Sequence, residues 1–194
     1  HNNGTTISAQ RLVAELRKKG HEVRVITTGE PGEGLYICPH YQHGLVSTLA
    51  SWQGVNIGKA VDSVILEALN GADVVHCYMP FVLSKRVVKL AKQCGVACTA
   101  AFHCQPEDIT YNLGMSSCGF MADFFYWALR EFFYKNVNYI HCPSQFIGDE
   151  LEKHGYKGKR YVISNGISEQ FKQESIPKIP QLKGKFCILM VGRL

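Results

Sequence analysis

Residues 96–107 read VACTAAFHCQPE, and this stretch decides the fold that the sequence predicts. Its first seven residues are small or apolar, which is typical of a strand buried on both faces of a parallel sheet. The strand delivers His103 to its end, and the loop Gln105, Pro106 and Glu107 follows at once. Because ligands of open α/β sheets bind at the carboxyl ends of the strands, His103 is a candidate functional residue. An imidazole there can act as a general base, a hydroxyl ligand or a metal ligand.

Two other short strands end in the same His-Cys pair, at positions 76–77 and 141–142. Histidine and cysteine both bind zinc, so the three pairs raise a zinc hypothesis. Adjacent strand residues point to opposite faces, however, so all six side chains cannot converge. The sequence therefore predicts thiols packed under helices, histidines at the sheet edge, and neither a metal nor a cofactor.

Composition indicates a folded protein of 194 residues, with one domain or one domain and part of another. The hydrophobic fraction of 46% is sufficient for a core and argues against disorder. The formal charge of +5 is compatible with an anionic substrate or an acidic membrane surface, and nucleic acid is not an expected partner. Eight cysteines without a CxxC pair indicate reduced thiols and a cytoplasmic protein.

Strand-like and helix-like segments alternate at least four times along the chain. Strands are expected at 21–27, 35–38, 74–78, 96–102, 139–142 and 160–164, and helices at 5–19, 61–69, 80–94, 120–137 and 143–153. This alternation predicts an α/β fold, with a Rossmann-like parallel sheet covered by helices on both faces. The segments 29–58 and 104–118 are expected to be largely irregular.

The opening Asn3-Gly4-Thr5-Thr6 precedes the first predicted helix. Free backbone N–H groups and the helix dipole favour a phosphate there, and Gly4 would allow close approach to the backbone. An ordinary loop with a helix cap explains the same residues. The stretch is not a GxGxxG fingerprint, so a nicotinamide-dependent oxidoreductase gains little support, and Glu30 alone adds little to it.

The segment 120–137 is strongly aromatic, and two interpretations of it remain open. It is either a core helix that covers the sheet or a helix that presents an aromatic flank to a lipid or a membrane surface. Ser144 precedes the next predicted helix, where its hydroxyl could cap the helix or reach a ligand.

In order along the chain, these segments resemble the amino-terminal domain of a family 4 glycosyltransferase of the GT-B fold. The matching residues are NGTT at 3–6, GHEV at 20–23, ADVVH at 72–76, FH at 102–103, CPSQF at 142–146, VISNGI at 162–167 and ILMVGRL at 188–194. The resemblance implies that residues 1–185 form the acceptor-side Rossmann-like domain, without its first strand. Residues 186–194 would be the first strand of the donor-binding domain.

The resemblance further implies metal-independent, retaining transfer of a hexose from a nucleotide sugar, by the intact protein and not by this chain alone. His103 would be the catalytic residue that contacts the transferred sugar. The residues expected to bind the donor diphosphate are Asn3, Gly4, Thr5 and Arg193, and the arginine would offset the charge of the leaving nucleotide. The acceptor-side candidates are Gln105, Glu107, Tyr111 and Ser144.

The acceptor is suggested by two short segments, 76–81 and 103–107, which resemble bacterial members that glycosylate diacylglycerol or similar lipids. Such a protein would lie peripherally on the inner face of the plasma membrane. A cell-surface glycan precursor or a small molecule remains open as the acceptor. The alternative classes are a non-catalytic nucleotide-binding α/β domain and an NAD(P)-type oxidoreductase domain.

Overall fold

A computed structural model describes residues 4–41, 56–112, 114, 119–168, 171–175 and 177–188. The helices are α1 (Gly4–Lys18), α2 (Asp62–Leu69), α3 (Val82–Gln93), α4 (Pro106–Asn112), α5 (Gly119–Phe132) and α6 (Gln145–Lys153). The strands are β1 (Val25–Thr27), β2 (Leu35–Ile37), β3 (Val74–Cys77), β4 (Ala97–Ala101), β5 (Tyr139–Cys142) and β6 (Lys159–Val162). Short 3-10 turns lie at Tyr134–Asn136 and Pro180–Leu182.

All of these strands pair in parallel, and they form two sheets. One sheet has the order β1-β2 and the other has the order β3-β4-β5-β6. Parallel neighbours need crossover connections, which α3, α5 and α6 supply between successive strands of the larger sheet. The predicted Rossmann-like α/β architecture, with helices on both faces of parallel sheets, is confirmed.

The helical layer over the larger sheet is held by an aromatic cluster centred on Phe102, which is 1% exposed. The ring centroids of Tyr134, Tyr156 and Tyr126 lie 5.2, 5.8 and 6.0 Å from it. Tyr134 donates a hydrogen bond to the carbonyl of Ala101 (2.9 Å), and Tyr156 donates to that of Tyr126 (2.8 Å). The buried phenols therefore keep their polar ends satisfied. Burial raises the pKa of all three tyrosines, so they remain protonated donors.

The aromatic helix has one side in the core and an exposed aromatic side. Tyr126 is fully buried and belongs to the core, whereas Phe120, Phe124 and Trp127 on the outer face are 69%, 51% and 51% exposed. The helix is also shorter than the predicted 120–137. It ends at Phe132, because Phe133 leaves helical geometry (φ −134°, ψ −60°) and its side chain turns into the core.

One other expectation differs from the structure. The predicted loop 104–118 contains α4, for which Pro106 at the first helical position and Glu107 and Asp108 in the first turn are favourable. Residues 186–188 of the predicted terminal strand pair with no strand among the described residues, and Phe186 is 92% exposed. Residues 189–194 lie outside the described part of the chain. Of the helices that the structure describes, none combines the length and apolarity needed to cross a bilayer.

Replacing Phe102 with alanine is expected to lower the free energy of unfolding by about 3–5 kcal/mol, because it leaves a cavity among three tyrosine rings. Urea unfolding followed by circular dichroism measures the change. Phe146→Ala is the matched control, since Phe146 is 56% exposed and should shift stability by only about 0.5 kcal/mol. Equal effects of the two substitutions would contradict the assignment of Phe102 to the core.

Candidate active site

Three histidines meet on the face of the larger sheet opposite the helices α3, α5 and α6. His76 lies beside Thr99 in the β3–β4 register, and His141 lies beside Ala101 in the β4–β5 register. His103 lies two residues after the end of β4. Because side chains alternate along a strand, it points to the same face of the sheet as Thr99. The ring centroid of His141 lies 5.8 Å from that of His103 and 6.3 Å from that of His76.

The cysteines of the pairs point the other way. Cys77 and Cys142 are 6% and 0% exposed, within the core under the helices. Burial raises the pKa of these thiols, to about 12 for Cys77 and about 11 for Cys142, so neither is a reactive thiolate. The predicted separation of thiols from imidazoles is confirmed for these two pairs, whereas Cys104 of the third pair is only partly buried. Among the described residues, no group of three or more histidine, cysteine or carboxylate side chains is arranged to hold a metal ion.

The tautomer of His76 follows from its contacts. The hydroxyl of Thr99 donates to the carbonyl of Val75 (3.3 Å), so it accepts from His76 Nδ1, 2.7 Å away. Burial, followed by the charges of His141 and His103, lowers the pKa of His76 to about 4. His76 is therefore neutral at pH 7 and keeps a lone pair on Nε2. This nitrogen is buried and has no hydrogen-bond partner among the residues that the structure describes.

His141 is oriented by a different bond. Its Nε2 lies 2.6 Å from the carbonyl oxygen of Ile163 and must donate to it, since a carbonyl can only accept. Ile163 follows the last residue of β6, so this bond ties the end of β5 to the chain that leaves the neighbouring strand. The ring of His141 is thereby held with its edge toward His103, at an interplanar angle of 87°.

His103 is held between aromatic neighbours. Tyr78 stacks on its ring, with centroids 5.2 Å apart and planes inclined by 20°. Its Nε2 is buried without a hydrogen-bond partner, as in His76. Burial first, and the charge of His141 second, lower the pKa of His103. The ring is thus kept neutral, with a nitrogen that can still bind a ligand.

Tyr78 also connects His103 to α1. A hydrogen bond from Ser8 lowers the pKa of Tyr78, although burial raises that pKa by more. Ser8 lies one helical turn after Gly4 and Thr5, so the N-terminal part of α1 adjoins the histidines. A Cβ atom added at Gly4 would meet no atom within 4 Å, which leaves the backbone there open to approach. The other predicted diphosphate residues, Asn3 and Arg193, lie outside the described residues.

The acceptor-side candidates occupy two places. Glu107 and Tyr111 line a hollow of about 630 Å³ between α4, α5 and α6. The hydroxyl of Tyr126 contacts Glu107 Oε2 at 3.2 Å, and Tyr111 is 74% exposed. Gln105 is half-buried at the start of α4. Ser144 instead caps α6, where its hydroxyl accepts a bond from the N–H of Ile147 (3.4 Å), so one of its two predicted roles is observed.

Sequence reasoning did not single out His76 or Tyr78 as site residues. Both lie on the histidine face, because they are two positions apart at the end of β3. The sequence does contain a signal, because His76 and Tyr78 occupy alternate positions of their strand, as His103 and His141 do on neighbouring strands. Such positions point to the same face of the sheet once the strands are aligned. That signal required the strand register, which only the structure gives.

The parallel fold and the polar edge define an α/β domain with a ligand site at the carboxyl ends of its strands. A comparison with protein-family models matches residues 2–171 to Glycosyltransferase Family 4, and the chain belongs to this family. Neither the curated proteins nor the solved structures gave a match.

His76 should make the stability of the protein depend on pH. Its pKa is near 6.5 in the unfolded chain and about 4 in the folded one, so only the unfolded state gains a proton as the pH falls between these values. The stabilisation is complete above pH 6.5, and roughly 3 kcal/mol of it is lost by pH 4. His76→Gln is expected to remove most of this loss, as measured by urea unfolding at pH 7 and pH 4.

The exposed His21 supplies the control, because His21→Gln should leave the pH dependence unchanged. Identical pH dependence in the wild type and in His76→Gln would show that the His76 ring is not desolvated in the folded state.

Proposed function

We propose that this chain is the acceptor-side domain of a retaining hexosyltransferase, which moves a sugar from a nucleotide sugar to a membrane lipid such as a diacylglycerol. Membership of the glycosyltransferase family supports transferase chemistry. The observation that carries the finer proposal is the pair of buried, unpartnered Nε2 atoms of His76 and His103 at the ligand edge of the sheet. Buried polar atoms are nearly always paired, so this site is built for a ligand with hydrogen-bonding groups.

Sugar hydroxyls suit these two nitrogens. The lone pair of His76 Nε2 can only accept, and a hydroxyl group can donate to it. His103 is also kept neutral by burial, so it adds no competing positive charge beside a sugar that becomes electron-deficient during transfer. Tyr78 fixes the plane of the His103 ring by stacking. In the proposal, His103 contacts the transferred sugar and His76 helps to orient it.

The donor diphosphate is assigned to the start of α1, with Gly4 and Thr5 at its first positions. The free N–H groups and the positive end of the helix dipole favour a phosphate there. Ser8 and Tyr78 link this helix to His103, so one donor can span both places. Asn3 and Arg193 complete the proposed diphosphate contacts, and no metal or other cofactor is needed in this scheme.

The proposed acceptor side begins where β4 ends. Gln105 lies two residues after His103, and Glu107 and Tyr111 face the hollow between α4, α5 and α6. A carboxylate and a phenol beside exposed aromatic rings suit a glycerol hydroxyl attached to apolar chains. A glycan precursor would use the same polar groups but has no need of the aromatic surroundings, so the lipid is the favoured acceptor.

His103→Ala is expected to lower kcat/KM about a hundredfold in the intact enzyme that joins this chain to a donor-binding domain, because one transition-state contact is lost. Transfer of radiolabelled sugar to diacylglycerol vesicles, from a panel of UDP- and GDP-sugars, measures the effect. His21→Ala is the matched control, since His21 is exposed. Full activity of His103→Ala would refute the catalytic role, and absence of transfer from every donor would refute the substrate assignment.

A further inference from the structure

The outer face of α5 carries an aromatic ridge. Phe120, Phe124 and Trp127 follow each other at helical spacing and are each at least half exposed. Phe124 and Trp127 also contact each other, with ring centroids 5.7 Å apart. Since the buried Tyr126 on the opposite side already supplies the core contact, the ridge has no structural role within the described residues.

The neighbouring helix α3 carries a row of lysines on its outer face. Lys85, Lys89 and Lys92 are exposed at helical spacing, and the sequence of α3 contains no acidic residue. Among the described residues none of the three takes part in an ion pair, whereas Arg86 of the same helix is paired with Asp62 of α2. The lysine row is therefore a local excess of positive charge.

The ridge and the lysine row lie on neighbouring helices of the same layer. The two helices touch where Lys85 Nζ, near the start of α3, lies 4.1 Å from the ring centroid of Phe132, the last residue of α5. Both acidic residues of α5 have local partners. Glu131 contacts Lys135 at 3.0 Å and Arg130 at 3.3 Å, and Asp123 contacts His154 at 2.9 Å. The combined surface is thus apolar along one strip and positive along the next.

We propose that this amphipathic face, formed by the ridge Phe120, Phe124 and Trp127 and the row Lys85, Lys89 and Lys92, docks on an anionic lipid bilayer. The aromatic rings enter the interfacial layer, and the lysines contact lipid phosphates. A second copy of the chain is a poorer occupant, because a two-fold contact through this face would bring the lysine rows of both copies into one interface. This inference rests on the proposed function, because a lipid acceptor is what gives membrane docking a purpose. Docking itself needs neither a sugar donor nor sugar transfer.

Docking would place the ligand edge at the membrane. Crossover helices run antiparallel to the strands they connect, so the first turn of α5, with Phe120, lies at the carboxyl edge of the sheet. Tyr111 and Glu107 occupy the adjoining α4. A lipid headgroup beside the ridge therefore has a short path to the hollow that these residues line.

Vesicle binding of the 194-residue chain tests the proposal directly. Vesicles of phosphatidylcholine with about 30% phosphatidylglycerol should retain the chain at about 50 mM salt, and pure phosphatidylcholine should retain far less. Salt at about 500 mM should release it, because the Debye length falls well below 10 Å. In a Trp52→Phe background, Trp127 is the remaining tryptophan, and its fluorescence should shift to the blue on binding.

Two variants assign the binding to this face. Phe124→Ser with Trp127→Ser should lower the partition coefficient at least tenfold, and Lys85, Lys89 and Lys92 changed together to Gln should lower it about a hundredfold. The matched controls are Phe146→Ser and the exposed lysines 19, 157 and 183 changed together to Gln, which should leave binding within twofold. Circular dichroism confirms that each variant is folded.

The proposal fails if the chain does not sediment with anionic vesicles, or if the control variants weaken binding as much as the face variants. It also fails if sedimentation velocity shows a dimer that Phe124→Ser with Trp127→Ser dissolves, because the face would then hold a second copy. Vesicle binding by the chain, together with no sugar transfer by the intact enzyme, would leave the docking face standing and refute the transferase proposal. Sugar transfer to a lipid by an intact enzyme that does not bind vesicles through this face would support the transferase proposal and refute the docking face.

Discussion

The two-residue period of the β-strand is the constraint on which the site depends. In β3 and β5, a histidine and a cysteine are adjacent, so one must face the helices and the other the opposite side. The cysteine is the side chain that packs under the helices, because a thiol fits a dense apolar layer. Parallel pairing in register then sets the imidazoles of His76 and His141 on one face, with His103 between them. The alternation of side chains along the strands thus places the apolar core on one face of the sheet and the polar site on the other.

Desolvation gives this site its chemical character. Among the described residues, His76 and His103 each keep a buried nitrogen without a hydrogen-bond partner, which is costly for a folded protein. Burial first, and the charges of neighbouring imidazoles second, lower the pKa of His76 and of His103. Thr99 and Tyr78 hold two of the rings in fixed orientations before any ligand arrives. The arrangement therefore holds neutral imidazoles in fixed positions, as the proposed contacts with sugar hydroxyls require.

The fold was largely predictable because its signals are local. The apolar run before His103, the helix stops and the alternation of segments are properties of short windows, and they predicted the parallel α/β architecture that the structure shows. The composition of the site was less predictable. His76 and Tyr78 join His103 only through strand register and a stacking contact, which no window of sequence contains. The helix α4 was missed because 104–118 has few apolar residues, and the end of α5 was misplaced because Phe133 turns into the core.

The two faces of the larger sheet serve different parts of the proposed function, and they meet at its carboxyl edge. The histidines lie on one face, and the outer surface of α3 and α5 lies beyond the other, so a ligand could not reach both through the sheet. At the carboxyl edge the two sides meet, because His103 lies two residues after the end of β4 and the chain then enters α4 and α5. A polar headgroup at that edge can approach the imidazoles from above while apolar chains remain along α5. Among the surfaces of the described chain, this edge is where sugar chemistry and a lipid interface can be neighbours, which is the spatial requirement that a lipid glycosyltransferase has to meet.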